Sequence, residues 1–269
     1  MIRLICSDVD GTIVPDGTRQ INPELFEVIE RLHEKGIHFA IASGRAVSSI
    51  RSLFEPVEDK LFLIALGGAM IATSRRTLFH WDVDQRDISE MVRQIRRIPG
   101  CEIELDGVQN GYLETKDETF RDWVIHSYGT RVCLVDDLLR VPDPIVSVSI
   151  YHSGHQVDTV LKDFMETWRD RYAVVTSGTM WVDVQRRDTN KGRAVAYLQD
   201  SLGIRPQETM VFGDQRNDIE MMGQACYSYA VENALEEVKA AARFRTGRCD
   251  EDGVLRVLRT LLAEEQRNP

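Results

Sequence analysis

The chain has 269 residues, room for two modest domains or one large one, and its 43% hydrophobic and 28% charged residues are the proportions of an ordinary globular protein. A formal net charge of −10 argues against nucleic acid as a partner, because such binding needs a basic face; a small phosphorylated substrate needs only a metal and one or two local cations. There is no apolar span long enough for a membrane and no secretory n-region, so the expected location is cytoplasmic, and the five cysteines form no CxxC pair that would predict a zinc site or a disulfide framework.

The segment 2–7 is short and apolar, which predicts a buried strand. Two carboxylates, Asp8 and Asp10, leave its C-terminal end and are followed by Gly11 and Thr12. In extended chain, residues two apart share a side, so Asp8 and Asp10 face one pocket while Val9 faces away. Carboxylates this close repel unless a divalent cation or a shared proton lies between them. Asn22 caps a helix that opens on Pro23, places Leu25, Val28, Ile29 and Leu32 on one face, and ends at Gly36. A strand over 37–42 stops at Ser43-Gly44-Arg45. A helix over 46–54 and a strand over 61–65, running into Gly67-Gly68, complete a βαβαβ series. That order predicts a parallel sheet with right-handed crossovers and a pocket at the carboxyl ends of its strands.

The rhythm changes near Trp81, and a mixed α+β insertion extends to about Gln185. Its predicted elements are a helix over 87–98, strands over 101–105 and 110–113, a helix over 119–126 and a strand over 132–135. A strand over 145–151, a helix over 157–168 and a hairpin of 172–176 with 180–184 around Ser177-Gly178-Thr179 follow. After Lys191 the alternation returns, with a helix over 192–202 closed by Gly203 and a strand over 209–212. Further βα units occupy 226–242, and a strand over 244–246 precedes a last helix over 253–263. The expected fold is therefore α/β, a Rossmann-like doubly wound parallel sheet built from 1–81 and 187–269, with an inserted α+β domain at 82–186.

The residues at the strand ends match the needs of phosphate monoester hydrolysis: a nucleophile, an acid/base and positive charge on the phosphoryl oxygens. Asp8 would attack phosphorus, and Asp10 would protonate the leaving oxygen and then deprotonate water. Mg²⁺ would be held by Asp8, the backbone of Asp10, and Asp214. The Ser43 hydroxyl and Gly44 amide would bind a phosphate oxygen, and Lys191 would supply a compact positive charge. Each piece alone has a plainer reading. Asp-x-Asp-Gly-Thr is good turn chemistry, Ser43 could cap the following helix, Asp218 could serve a helix dipole, and Lys191 could be solvated. Four motifs in order, each at a predicted strand end or helix start, outweigh those readings.

Together these residues resemble the haloacid dehalogenase-like phosphatase superfamily. Asp8-Val9-Asp10-Gly11-Thr12 matches its first motif, Ser43-Gly44-Arg45 its second and Asn190-Lys191-Gly192 its third, while Gly213-Asp214 with Asn217-Asp218 matches its fourth. The insertion resembles the C2 type of cap, as found in the Cof-like subfamily of sugar-phosphate phosphatases. The resemblance implies Asp8 as nucleophile, Asp10 as acid/base and Asp214 as metal ligand, with Asp218 supporting the metal shell and Asn217 close to the phosphate. Ala230-Val231-Glu232-Asn233-Ala234 and Asp252-Gly253-Val254 are further family-like pieces. One departure is Gly67-Gly68-Ala69, where relatives commonly carry Asn-Gly-Ala. The expected activity is Mg²⁺-dependent hydrolysis of small phosphorylated metabolites, sugar phosphates foremost. A phosphomannomutase-like mutase and a catalytically inactive sensor of phosphorylated ligands are the alternatives. Trp181, Asp183 and Arg186 are weaker candidates for leaving-group contacts, and oligomeric state is not legible.

Overall fold

The computed structural model describes residues 1–128, 131–177 and 179–267, so the predicted turn residue Gly178 lies outside the described residues. The chain divides into two compact units, Met1–Leu78 with Asn190–Pro269, and Phe79–Thr189. The first segment runs β1 (Leu4–Ser7), α1 (Glu24–Glu34), β2 (His38–Ala42), α2 (Val47–Leu53), β3 (Leu61–Ala65), β4 (Met70–Ala72) and β5 (Thr77–His80). The inserted segment opens with α3 (Gln85–Ile95), β6 (Cys101–Gly107), β7 (Gly111–Leu113), α4 (Glu118–Tyr128) and β8 (Val132–Leu134). It continues through β9 (Ile145–His152), α5 (Val157–Val160), α6 (Lys162–Trp168), β10 (Tyr172–Ser177) and β11 (Trp181–Arg186). The return segment carries α7 (Lys191–Leu202), β12 (Thr209–Gly213), α8 (Ile219–Met222), β13 (Tyr227–Val231), α9 (Glu236–Ala241), β14 (Phe244–Thr246) and α10 (Gly253–Arg267).

The first sheet has the order β14-β13-β12-β1-β2-β3-β4-β5. It is parallel from β14 through β3, as buried apolar strands joined by helices require. From β1 the chain steps outward to β2 and β3, and on returning it starts again at β12, on the other flank of β1, and steps outward in the opposite direction. Right-handed crossovers then send the two sets of helices to opposite faces, and β1 and β12 flank the switch point where such sheets bind ligands. α1 shows how the sequence supports this. Leu25, Val28, Ile29 and Leu32 are all buried, and each contributes roughly 1.5–3 kcal/mol of burial. Asn22 Oδ1 accepts the Glu24 amide at 3.1 Å at its start.

Two features depart from the sequence reading. The chain does not leave the sheet after β3: Leu66, Gly67 and Gly68 take positive φ values of 51°, 64° and 105°, and β4 returns antiparallel to β3. The single helix expected over 157–168 is two helices, α5 and α6, with Leu161 between them at φ −99°. No glycine or proline marks that break, and Leu161 is fully buried, so packing rather than propensity places it.

The second unit holds a six-stranded sheet, β10-β11-β9-β6-β7-β8, antiparallel except for the β7–β8 pair. One face packs Leu105, Val148, Ile150, Val182 and Val184 against Ile88, Met91, Val92 and Ile95 of α3, together with Phe164 and Trp168 of α6. Near the other face, Phe120 and Val124 of α4 form a smaller cluster with Leu113 and Trp181. Among the described residues no helix is long and apolar enough to cross a membrane, and all five cysteines are free.

Candidate active site

The register of β1 on β12 pairs Ser7 with Phe212, so Asp8 and the Gly213-Asp214 pair leave neighbouring strands at the same level. The Asp8 amide donates to the Phe212 carbonyl at 3.0 Å, which continues the ladder one step past β1. Lys191, the first residue of α7, points its ammonium into the same place: Nζ donates to Asp8 Oδ1 at 2.6 Å and to Asp218 Oδ1 at 2.7 Å. Lys191 is 1% exposed and Asp218 fully buried. Asn190 opens α7 by accepting the Arg193 amide on its side chain at 2.7 Å, which explains why this lysine sits at a helix start and inside the protein.

Asp218 does two things at once. Its Oδ2 accepts the backbone amides of Asp214 and Gln215 at 2.9 and 3.0 Å, fixing the turn after β12, and its Oδ1 takes Lys191. Asp214 is 1% exposed and accepts the Thr12 hydroxyl at 2.7 Å and the Gln215 amide group at 3.1 Å. Among the described residues, Asp8, Asp214 and Asp218 are the group whose ligand oxygens all lie within 4.8 Å of one another. Burial pushes the Asp8 carboxyl up; Lys191 pulls it down, and the like charges of Asp218 and Asp214 raise it again. Asp214 is raised chiefly by burial, with Thr12 opposing. Lys191 pays the opposite cost of burial, yet Asp8 and Asp218 more than offset it and hold the ammonium protonated. Three carboxylates around one ammonium leave surplus negative charge in a dry site, and the donors are all oxygen. A hard divalent cation fits both properties.

Gly11 makes the close approach possible. Its φ is +84°, and a methyl group there would stand 2.3 Å from Asp214 Oδ2. Gly11→Ala is expected to lose about 1–2 kcal/mol from backbone strain alone, a melting temperature lower by several degrees. Phosphate release should fall with it as Asp214 is displaced, and a variant with unchanged melting and turnover would contradict this packing.

The remaining candidates are placed differently. Asp10 is half-buried, and its carboxylate is gripped by Arg45, with Nε on Oδ2 at 2.8 Å and Nη2 on Oδ1 at 2.6 Å. Its side chain is therefore outside the acidic trio. Ser43, 1% exposed at the end of β2, accepts the Arg45 amide on its hydroxyl at 3.2 Å, so it braces the turn that carries Arg45 rather than capping α2. Gly44 has open space where a side chain would stand. Asn217 is exposed on the turn beyond β12. Gly68 lies so close to the start of α7 that a methyl group would meet the Asn190 carbonyl at 2.3 Å, which gives Gly68 a packing role against the start of that helix.

Three residues escaped the sequence reading as contributors. Arg45 was legible only as part of a motif; a cation two residues past Ser43 was the available signal. Thr12 lies on Asp214. Asn233 bridges the Gly11 carbonyl, at 2.7 Å, and the Cys249 amide, at 2.9 Å, tying the turn after Asp10 to the chain before α10.

A family model described as haloacid dehalogenase-like hydrolase matches residues 5–258. The chain is 28% identical over 264 residues to the 5-amino-6-(5-phospho-D-ribitylamino)uracil phosphatase YbjI of Escherichia coli (strain K12), covering 98% of this chain and 97% of that one. It is 28% identical over 244 residues to an HMP-PP phosphatase of Enterobacter sp. (strain 638), covering 89% and 88%. A solved structure from Eubacterium rectale superposes with a TM-score of 0.89 at 35% identity, covering 97% of this chain and 99% of that one.

Proposed function

The chain belongs to the haloacid dehalogenase-like hydrolase family, and from that premise we propose that it is a Mg²⁺-dependent phosphatase of small phosphorylated metabolites, sugar phosphates foremost. The observation that carries the reading is the buried Asp8–Lys191–Asp218 triad beside Asp214 at the sheet's switch point, which supports Asp8 as nucleophile, Lys191 as a fixed cation and the carboxylates as an oxygen donor set. A pure binding protein has no need to bury a nucleophile with so little solvent around it. The E. coli and Enterobacter relatives are both named phosphatases, and the substrate named for the E. coli one is a small phosphate ester, which supports the class; at 28% identity they do not carry over the leaving group.

In this mechanism the free oxygen of Asp8 attacks phosphorus and the ester P–O bond breaks, giving an aspartyl-phosphate and an alkoxide that takes its proton from Asp10. Water then attacks phosphorus as Asp10 accepts its proton; the P–O bond to Asp8 breaks, and inorganic phosphate leaves. Lys191 holds the attacking carboxylate in one orientation by its other oxygen. Because Arg45 occupies both Asp10 oxygens, one of those hydrogen bonds must be exchanged for the reacting oxygen. Ser43, Gly44 and Asn217 are the proposed phosphate-side contacts. Asp8, Asp214 and the Asp10 backbone would hold Mg²⁺, supported by Asp218, and the ion would shield the carboxylates from the phosphate dianion. Selectivity for the leaving group is assigned to the second unit.

Phosphate release from a panel of sugar phosphates, nucleotides and an aryl phosphate tests the reading. Turnover is expected with Mg²⁺, abolished by EDTA and restored by adding the ion back. Full turnover in EDTA would remove the metal role. Conversion of a hexose 1-phosphate into the 6-phosphate in the presence of catalytic hexose 1,6-bisphosphate, without phosphate accumulation, would replace the phosphatase with a mutase.

A further inference from the structure

Asp8 and Asp10 leave β1 two residues apart, yet different cations hold their carboxylates, and only Asp8 belongs to the acidic trio. What separates them is Arg45. Its Nε donates to Asp10 Oδ2 at 2.8 Å and its Nη2 to Asp10 Oδ1 at 2.6 Å, so the planar guanidinium meets both carboxylate oxygens at once. A contact at two points fixes the plane of the carboxylate as well as its distance, which the point charge of a lysine cannot do.

Arg45 is itself fixed at both ends. Its amide donates to the Ser43 hydroxyl at 3.2 Å, its carbonyl accepts the Leu66 amide at 3.0 Å, and its Nη1 reaches the Ser49 hydroxyl at 3.5 Å. Both serines are buried, and the Gly67 amide ties the same turn to the Ser43 carbonyl at 3.0 Å. Leu66 makes its bond to Arg45 at a φ of 51°, a conformation that costs a residue other than glycine and is kept only where the surroundings impose it. The turn after β3 therefore accepts strain at the point where it supports Arg45. Fold stability is a weak reason for this arrangement, because the Asp10 side chain is 33% exposed and an ion pair that open to water adds little.

We propose that Arg45 is the positioning residue of the acid/base step: it keeps the Asp10 carboxylate out of the acidic trio and in the orientation from which it serves first the leaving oxygen and then water. The proposal rests on the phosphatase reading and deepens it. Asp10 gives its proton to the leaving oxygen as the ester P–O bond breaks, and it regains one from the water that opens the aspartyl-phosphate, so the residue ends the cycle as it began. In each transfer one Asp10 oxygen is released to the reaction while the other stays on Arg45, and the carboxylate pivots about a fixed point instead of swinging free. Arg45 acts through Asp10, and its removal should be felt where the acid is needed.

The test measures kcat/KM for p-nitrophenyl phosphate and for phenyl phosphate with Mg²⁺, using wild type, Arg45→Met, Arg45→Lys, Asp10→Asn and the double variant Asp10→Asn/Arg45→Met. The nitrophenolate leaves without a proton, whereas phenolate is a poorer leaving group and draws on the acid, so the ratio of the first kcat/KM to the second reports how well Asp10 is placed. Taken on one sample, that ratio does not depend on how much of the protein is folded. Arg45→Met should raise it about tenfold or more. Arg45→Lys should raise it as well, because a point charge does not hold both oxygens. In the Asp10→Asn background the loss of Arg45 should leave the ratio where it is, since no acid remains to be positioned. A wild-type ratio in Arg45→Met or Arg45→Lys overturns the positioning role, and so does an equal loss on both esters that persists in the Asp10→Asn background, which would make Arg45 a direct phosphate contact. Absence of turnover of both esters by wild type overturns the phosphatase reading and the positioning role with it, whereas turnover with an unmoved ratio overturns the positioning role alone.

Discussion

Asp8→Asn is expected to lower phosphate release from every ester by about 10⁴-fold or more, because an uncharged amide cannot form the covalent intermediate and removal of a nucleophile typically costs this much. The fold should survive. Asp8 is pushed up by burial and by Asp218 and Asp214, so neutralising it relieves repulsion, while Lys191 keeps its bond to Asp218 at 2.7 Å. The melting temperature of the variant should therefore equal or exceed that of the wild type. Phosphate release assayed beside a thermal melt separates the outcomes: retained turnover in a folded variant removes Asp8 from the chemistry, while lost turnover with a collapsed melt would make the residue structural.

Lys191→Met should lose both activity and stability. The side chain is buried and holds Asp8 and Asp218 together, so its removal leaves two carboxylates facing each other in a site from which water is excluded. Breaking a buried ion pair by deleting one partner costs about 3–5 kcal/mol, which corresponds to a melting temperature lower by roughly 10 °C for a chain of this size. Mg²⁺ should restore part of that loss, since an ion that binds the folded state alone stabilises it by mass action. Arginine is a poor substitute here, because its planar fork does not replace a point charge set between two oxygens. A methionine variant as stable as the wild type would show that the carboxylates are already neutral, and one as active would remove the lysine from the mechanism.

Much of the first unit could be read from local pattern. β3 falls on its predicted residues, α7 starts one residue before its predicted start and ends at the predicted Gly203, and α1 buries the four residues its spacing selects. Propensity, capping and period act over a few residues, so they are written into contiguous sequence. The fold of β4 back onto β3 was less legible. It depends on positive φ at Leu66, a residue type that rarely adopts it, and on Gly68 fitting against Asn190, more than a hundred positions away.

The sequence by itself determined which chemistry was on offer: carboxylates at strand ends, a lysine at a helix start and glycines where the chain must turn. Only the tertiary structure decided who partners whom. Lys191 lies on Asp8 from 183 residues away, Arg45 takes Asp10 from 35 residues away, and Asp218 joins the acidic trio while the Asp10 side chain does not. The row Glu104, Ser149 and Asp183 in the second unit was equally invisible, because these residues become neighbours only through the register of β6, β9 and β11. Charge interactions fall off with distance and strengthen with burial, and both are set by how distant segments pack.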